Sequence, residues 1–188
     1  MPCALCASDG KLHKISRGGL TLQFHPYRRQ EAVAYAHQWA YGRNPAYYDY
    51  ENIGGDCTNF ASQCIYAGTG VMNYTPTYGW YYRNANDKAP AWTGVIYLYQ
   101  FLTRNKPSVG PVCIEADLAQ AEPGDVIQLS FEGVGFRHSP VVVETDGTGN
   151  PEGILLAAHS YDADWRPLST YEYTDLRVLH ITGYYDWQ

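Results

Sequence analysis

Cys57 lies in the segment GGDCTNF, whose residue types favour thiol catalysis. The thiolate, rather than the thiol, is the nucleophilic form of cysteine, and the unpaired amides and dipole at a helix N-terminus lower the pKa of a thiol. Two glycines and Asp56 precede Cys57, and apolar side chains follow it at helical spacing, so the cysteine is predicted to begin a helix. Its backbone amide would then be free to donate to an oxyanion, as acyl transfer requires. The alternative interpretation is an inert buried cysteine.

A cysteine nucleophile needs an imidazole that takes its proton and later returns it. The chain has six histidines, and two of them adjoin apolar, β-branched segments. His138 opens the strand predicted from FRHSPVVVE, and His159 ends the strand predicted from GILLAAHS. We expect His138 to be the general base and His159 to be the polar group that orients it. The other four histidines are expected to be surface or structural residues.

Helical periodicity predicts three helices, over residues 26–40, from Cys57 to a stop at Gly68, and over 93–103. After residue 116 the pattern changes to short strands, in the segments VIQLSF, PVVVE, GILLAA and LRVLHITGYY. Helices followed by an antiparallel sheet define an α+β domain. Residues 1–23 are predicted to be an N-terminal arm, and residues 24–188 a single domain.

The composition limits the functions that this chain can have. Its net charge of −6 argues against unaided binding to nucleic acid, which needs a clustered basic surface. No apolar stretch is long enough to span a membrane. The first residues lack the pattern of a signal peptide, so the chain is expected to be intracellular as written or a domain of a longer exported protein. Eighteen tyrosines suit a concave surface that binds peptides or sugars.

Cysteine spacing gives little support for a metal or redox site. Cys3 and Cys6 form a CxxC pair, but no second pair with zinc spacing follows. Cys113 lies in an apolar segment and is predicted to be a buried small hydrophobe. We therefore expect neither a metal nor an organic cofactor.

The segment GGDCTNFASQC resembles the nucleophile motif of the putative amidase domain family, which is itself similar to NlpC-type and CHAP cell-wall peptidases. The segments YRRQEAVAYAHQWA, WYYRN, AEPGDVIQL, RHSPVVV and AAHSYD match the same pattern, so the resemblance spans about residues 27–183. It implies a papain-like, NlpC-type fold with Cys57 as nucleophile, His138 as base and His159 as third residue. In the related peptidases an acid can take the third position, so Asp162 and Asp164 are alternatives to His159.

The resemblance also implies amide hydrolysis through a thioester, with a peptide or amide substrate and peptidoglycan stem peptides as the leading class. An upstream tyrosine donates to the oxyanion in the similar peptidases, so Tyr48 and Tyr50 are candidates, and Trp80 of a later aromatic cluster is a candidate for substrate binding. Asp56 either positions the nucleophile or caps the helix, and capping is favoured. Two functional alternatives stay open: an acyltransferase at the same site, and a non-catalytic module that binds glycan or peptide.

Overall fold

The structure, a computed structural model, describes residues 15–188, and the predictions for Cys3 and Cys6 lie outside this range. Its α-helices are α1 Arg29–Trp39, α2 Cys57–Thr69, α3 Pro90–Thr93 and α4 Val95–Leu102. Its strands are β1 Ser16–Arg17, β2 Leu20–Pro26, β3 Tyr82–Asn84, β4 Asp87–Lys88, β5 Gly110–Ala116, β6 Val126–Phe131, β7 Gly135–His138, β8 Val141–Thr145, β9 Ile154–Ala158, β10 Ala163–Pro167 and β11 Asp175–Trp187.

Nine of these strands form one antiparallel sheet, in the order β1-β2-β11-β6-β8-β9-β10, with β5 paired to β11 and β7 paired to β6. Strand β11 organises the sheet because it pairs with β2, β5 and β6 along its 13 residues. Strands β3 and β4 form a separate hairpin. The described residues therefore have an α+β architecture with an antiparallel sheet.

Helix α2 is the central helix of the domain. Eleven of its 13 residues are buried, and helix α1 packs along it. The helix ends at Thr69 and is capped by Gly70, which has a left-handed φ of 73°, so the predicted stop at Gly68 lies inside the helix. Gly68 instead packs against the ring of Tyr27, where a Cβ atom would lie 2.2 Å from a ring carbon. This glycine therefore serves close packing rather than helix termination.

The first and third helices differ from their predicted bounds for local reasons. Pro26 is the last residue of β2, so α1 begins three residues later, at Arg29. The predicted helix over 93–103 is interrupted at Gly94, whose extended backbone (φ −112°, ψ 124°) separates α3 from α4. No helix within residues 15–188 is both long and apolar enough to cross a lipid bilayer.

The predicted arm boundary at residue 23 falls inside a strand. Leu20–Pro26 pairs with the end of β11, from Leu22 against Trp187 to Pro26 against Gly183. The described part of the arm thus belongs to the sheet. Its weak apolar pattern has a physical reason, since Gln23 and Phe24 of this strand are exposed.

Candidate active site

Cys57 is the first residue of α2, as the sequence predicts. Its side chain is 7% exposed. The sulfur lies 3.8 Å from the Thr58 hydroxyl and 3.9 Å from the backbone carbonyl oxygen of Arg137. This second contact brings the thiol beside the end of β7, the strand that carries His138.

Cys57 and His138 line the same cavity, which has a volume of about 580 Å³. The other lining residues come from the loop before α2, from β6 and β7, and from the segments around β10: Gly54, Gly55, Phe131, Arg137, Ser160, Tyr161, Arg166, Thr170, Tyr171 and Glu172. The fold therefore brings together two residues that are 81 positions apart in the chain. These are the residue types that acyl transfer through a thioester requires.

A buried hydroxyl network joins the two elements that carry these residues. Ser139, which directly follows His138, is fully buried. Its Oγ accepts hydrogen bonds from the Thr58 hydroxyl and from the Gln128 side-chain amide, both at 3.3 Å. Thr58 directly follows Cys57, so this network ties the first turn of α2 to the end of β7.

The pKa of the Cys57 thiol differs from the value expected from the sequence. Burial raises the pKa of the Cys57 thiol, and the Asp56 carboxylate adds to this rise. Hydrogen bonds from Thr58 and from the Ser139 amide oppose it without cancelling it. The predicted lowering of the thiol pKa at the helix start is therefore wrong, because desolvation of the thiolate outweighs the local donors.

His138 is 8% exposed, and burial together with the positive charge of Arg166 lowers the pKa of its imidazole to about 4. At neutral pH the imidazole is therefore uncharged and able to accept a proton. The resting pair consists of a neutral thiol and a neutral imidazole.

Comparison with known proteins shows the family to which this chain belongs. Residues 26–182 match the family described as a putative amidase domain. The chain belongs to this family. It is also 35% identical over 143 residues to "Uncharacterized protein YhbB" of Bacillus subtilis (strain 168), a match that covers 74% of this chain and 43% of that protein. The chain thus spans less than half the length of this relative. No solved structure matches the chain at a significant level.

In this amidase-family chain His159 has partners other than the one predicted. Its Nδ1 atom lies 2.5 Å from Asp56 Oδ2, and its Nε2 atom lies 2.9 Å from the backbone carbonyl oxygen of Trp39. Its ring stacks on Phe60 with 4.1 Å between ring centroids. Both ring nitrogens are thus engaged away from His138. The predicted contact that would orient His138 is absent, because the chain turns towards α1 and α2 directly after β9.

The two acidic alternatives for the third position are engaged elsewhere too. Asp162 accepts two hydrogen bonds of 2.9 Å from the guanidinium of Arg43. Asp164 lies 2.9 Å from Nδ1 of His37. Neither carboxylate contacts His138.

Asp56 occupies the N-cap position of α2, but its side chain makes no hydrogen bond to a helix amide. The favoured capping interpretation is therefore wrong. The fully buried carboxylate accepts hydrogen bonds from the Tyr50 amide at 3.0 Å and from the Asn59 side chain at 2.8 Å, besides its contact with His159. The Asp56 amide donates to Ser160 Oγ at 2.8 Å. Asp56 is thus the centre of a buried polar cluster next to Cys57.

The aromatic residues predicted for substrate binding do not line the cavity. Trp80 is fully buried, and its indole NH donates to Ser62 Oγ at 3.0 Å. The hydroxyl of Tyr50 faces the carbonyl oxygen of Ala85, and Tyr48 is exposed outside the cavity. Two later tyrosines, Tyr161 and Tyr171, line the cavity instead. Sequence position relative to the nucleophile motif gave no indication of either.

Sequence reasoning also missed Thr58, Ser139 and Arg166. The first two each directly follow a candidate catalytic residue, and this adjacency was an available signal. Arg166 carries no such signal, since its proximity to His138 depends on the fold. Within residues 15–188, no group of three or more His, Cys, Asp or Glu side chains is arranged to hold a metal ion.

Proposed function

We propose that this chain is a cysteine-dependent amide hydrolase in which Cys57 is the nucleophile and His138 the general base. One observation carries the proposal: the thiol at the start of α2 and the imidazole at the end of β7 line one cavity. Membership of the amidase family supports an amide as the substrate.

The chemistry follows from this arrangement. Nε2 or Nδ1 of the neutral His138 ring takes the thiol proton as the sulfur attacks the amide carbonyl carbon. The Cys57 amide has no acceptor in its own helix, because it belongs to the first turn, and it can donate to the resulting oxyanion. The imidazolium then protonates the departing amine, which leaves a thioester. Water, deprotonated by His138, attacks the thioester, and the carboxylic acid and free thiol are released.

The neutral resting state sets the timing of proton transfer. A raised thiol pKa and a lowered imidazole pKa disfavour a stored thiolate–imidazolium pair. The proton therefore moves to His138 as the carbon–sulfur bond forms. This differs from a site that holds its thiolate ready before the substrate arrives.

A papain-like fold and a cell-wall peptide substrate are part of the same proposal. A nucleophile at the start of a buried helix, packed near an antiparallel sheet that carries the base, is consistent with that fold. The resemblance of GGDCTNFASQC to the motif of cell-wall peptidases makes peptidoglycan stem peptides the first substrates to assay.

The direct test is to incubate the protein with bacterial peptidoglycan and a panel of peptide amides and to detect new amines and acids by mass spectrometry. We expect Cys57→Ala and His138→Gln to lower the rate at least about 10³-fold. Cys113→Ala, at a buried thiol in β5, is the matched control and should retain activity. Full activity of folded Cys57→Ala would refute the proposal.

An acyltransferase is a second candidate, favoured by the 7% exposure of Cys57, which limits access of bulk water to the thioester. Adding amine acceptors to the assay distinguishes the two outcomes. A transferase converts the acyl group to a new amide, whereas a hydrolase yields the free acid.

A non-catalytic binding module is a third candidate, favoured by the raised pKa of the thiol. Labelling with iodoacetamide across pH separates it from the enzyme. The enzyme should lose its activity in step with alkylation of Cys57, whereas a binding module has no activity to lose.

A further inference from the structure

Two arginines line the cavity that holds Cys57 and His138. Arg137 directly precedes His138, and Arg166 belongs to β10. Neither forms an ion pair with a carboxylate within residues 15–188, and the same holds for Arg104 and Arg177, whose guanidinium groups donate to uncharged oxygens. Outside the cavity, four arginines do form such pairs: Arg28, Arg29, Arg43 and Arg83.

The Arg166 guanidinium is held in place by the segment that follows it. Its Nε donates to the Thr170 hydroxyl at 2.8 Å and one terminal nitrogen donates to the Thr170 carbonyl oxygen at 3.0 Å. Its central carbon lies 3.9 Å from the centroid of the Tyr171 ring, and that ring lies 5.7 Å from the His138 ring. These contacts use two of five N–H donors, so the positive charge is fixed near the base with donors to spare.

Arg137 is constrained less. Its Nε donates to the Val134 carbonyl oxygen at 3.1 Å, and its terminal nitrogens make no hydrogen bond within the described part of the chain. Glu172 is the one carboxylate among the residues that line the cavity. With His138 uncharged, two positive charges face one negative charge there.

We propose that Arg137 and Arg166 form a subsite for a carboxylate of the substrate, so that the amides processed at Cys57 belong to acidic peptides. Paired N–H donors of a guanidinium match the two oxygens of a carboxylate and bind it in preference to a neutral amide. The inference depends on the proposed role of Cys57 as nucleophile.

The same arrangement links substrate charge to the strength of the base. In the free protein the charge of Arg166 helps to lower the pKa of His138. A carboxylate bound to Arg166 offsets that charge, so His138 becomes a stronger base when an acidic substrate is present. An acidic substrate would therefore bind more tightly than a neutral one and would also make His138 a stronger base.

Iodoacetate and iodoacetamide provide a test that needs no substrate. Each alkylates a thiolate by displacement of iodide, and they differ chiefly in that iodoacetate carries a carboxylate. Because both reagents need the same thiolate, the ratio of their rates at Cys57 cancels its ionised fraction. The rates are measured by mass spectrometry of the peptide that contains Cys57, since other cysteines also react.

We expect the iodoacetate to iodoacetamide ratio at Cys57 to fall about tenfold in Arg166→Gln at low ionic strength, and to fall in Arg137→Gln as well. Glu172→Gln should raise the ratio. Arg83→Gln, at an exposed arginine outside the cavity, is the control and should leave it unchanged. The Arg137→Gln variant keeps the test valid if Arg166→Gln fails to fold.

An unchanged ratio in folded Arg137→Gln, or in a folded Arg137→Gln/Arg166→Gln double variant, would overturn the subsite. This outcome would leave the hydrolase proposal standing if Cys57 and His138 still prove essential in the activity assay. Conversely, a ratio that falls as expected in a protein without any amidase activity would show that the arginines bind a carboxylate, and it would refute both the proposed function and the processing of acidic amides at Cys57. Once a substrate is known, converting its carboxylate to a carboxamide should raise KM in the wild type and have little effect in the double variant.

Discussion

Nδ1 of His159 lies 2.5 Å from Oδ2 of Asp56, the residue that directly precedes Cys57. Both side chains are almost completely buried. A histidine whose two nitrogens face a carboxylate and a backbone carbonyl oxygen is a fixed bridge between the segment after β9 and the start of α2. This bridge ends at Asp56, one residue before Cys57, and neither ring nitrogen is directed at His138.

Breaking this buried pair should destabilise the protein strongly. We expect His159→Gln and Asp56→Asn each to lower the free energy of unfolding by about 3 kcal/mol, because each leaves a buried polar partner unmatched. Urea unfolding measures the loss. His37→Gln removes a more exposed contact with Asp164 and should cost less than about 1 kcal/mol. Equal losses in the two cases would contradict the structural role of His159.

Stability should depend on pH through His138. Its pKa is lowered to about 4 in the folded protein, whereas an unfolded histidine titrates near 6.5. Between these values the unfolded chain binds the extra proton, so stability falls as the pH drops from 6.5 towards 4, by about 3 kcal/mol in total. In His138→Gln this part of the pH dependence should disappear. A variant that loses stability over this range as steeply as the wild type would show that His138 is not the cause.

The pH dependence of activity should also reflect the ionisation of His138. With His138 as the proposed general base, kcat/KM should fall on the acid side only as the pH approaches about 4, and considerable activity should persist at pH 5. Arg166→Gln should move the acid limb to higher pH, because it removes a positive charge that disfavours the imidazolium. Arg83→Gln should leave the limb in place. An acid limb near 6.5 in the wild type would contradict the buried environment of His138.

The Thr58–Ser139 link should matter for both stability and rate. Ser139→Ala leaves the hydroxyl of Thr58 without its acceptor and should lower the free energy of unfolding by about 1–3 kcal/mol. It should also lower kcat, because the thiol and the imidazole lose a common support. Thr58→Ser retains the hydroxyl and should stay close to wild type. If Ser139→Ala lowers the free energy of unfolding but not kcat, the Thr58–Ser139 hydrogen bond contributes to stability and not to catalysis.

The helix start at Cys57 and the strand residues beside His138 could be predicted from the sequence because their signals are local. Paired glycines and a helical pattern mark the start of α2, and β-branched residues mark the strand beside His138. The partners of His159 could not be predicted, since Asp56 and Trp39 are distant from it in sequence. Periodicity shows that a residue is buried and leaves its neighbours unspecified.

The direction of the Cys57 pKa shift was mispredicted for a related reason. A helix start favours the thiolate, but the balance depends on how much water the finished fold excludes. Trp80 shows the same limit of sequence-based prediction, because an aromatic residue in a tyrosine-rich segment can either bind substrate or pack in the core. Only the fold shows that it donates to Ser62 in the interior.

The hydrogen bond from the Asp56 amide to Ser160 Oγ has one further consequence. Tyr161, the next residue along the chain, is 89% exposed at the cavity and has a left-handed φ of 75°. Because Ser160 and Tyr161 are adjacent, this one hydrogen bond joins the rim of the cavity to the peptide unit between Gly55 and Asp56. A single interaction thus connects the exposed rim to the backbone immediately before the sulfur-bearing residue.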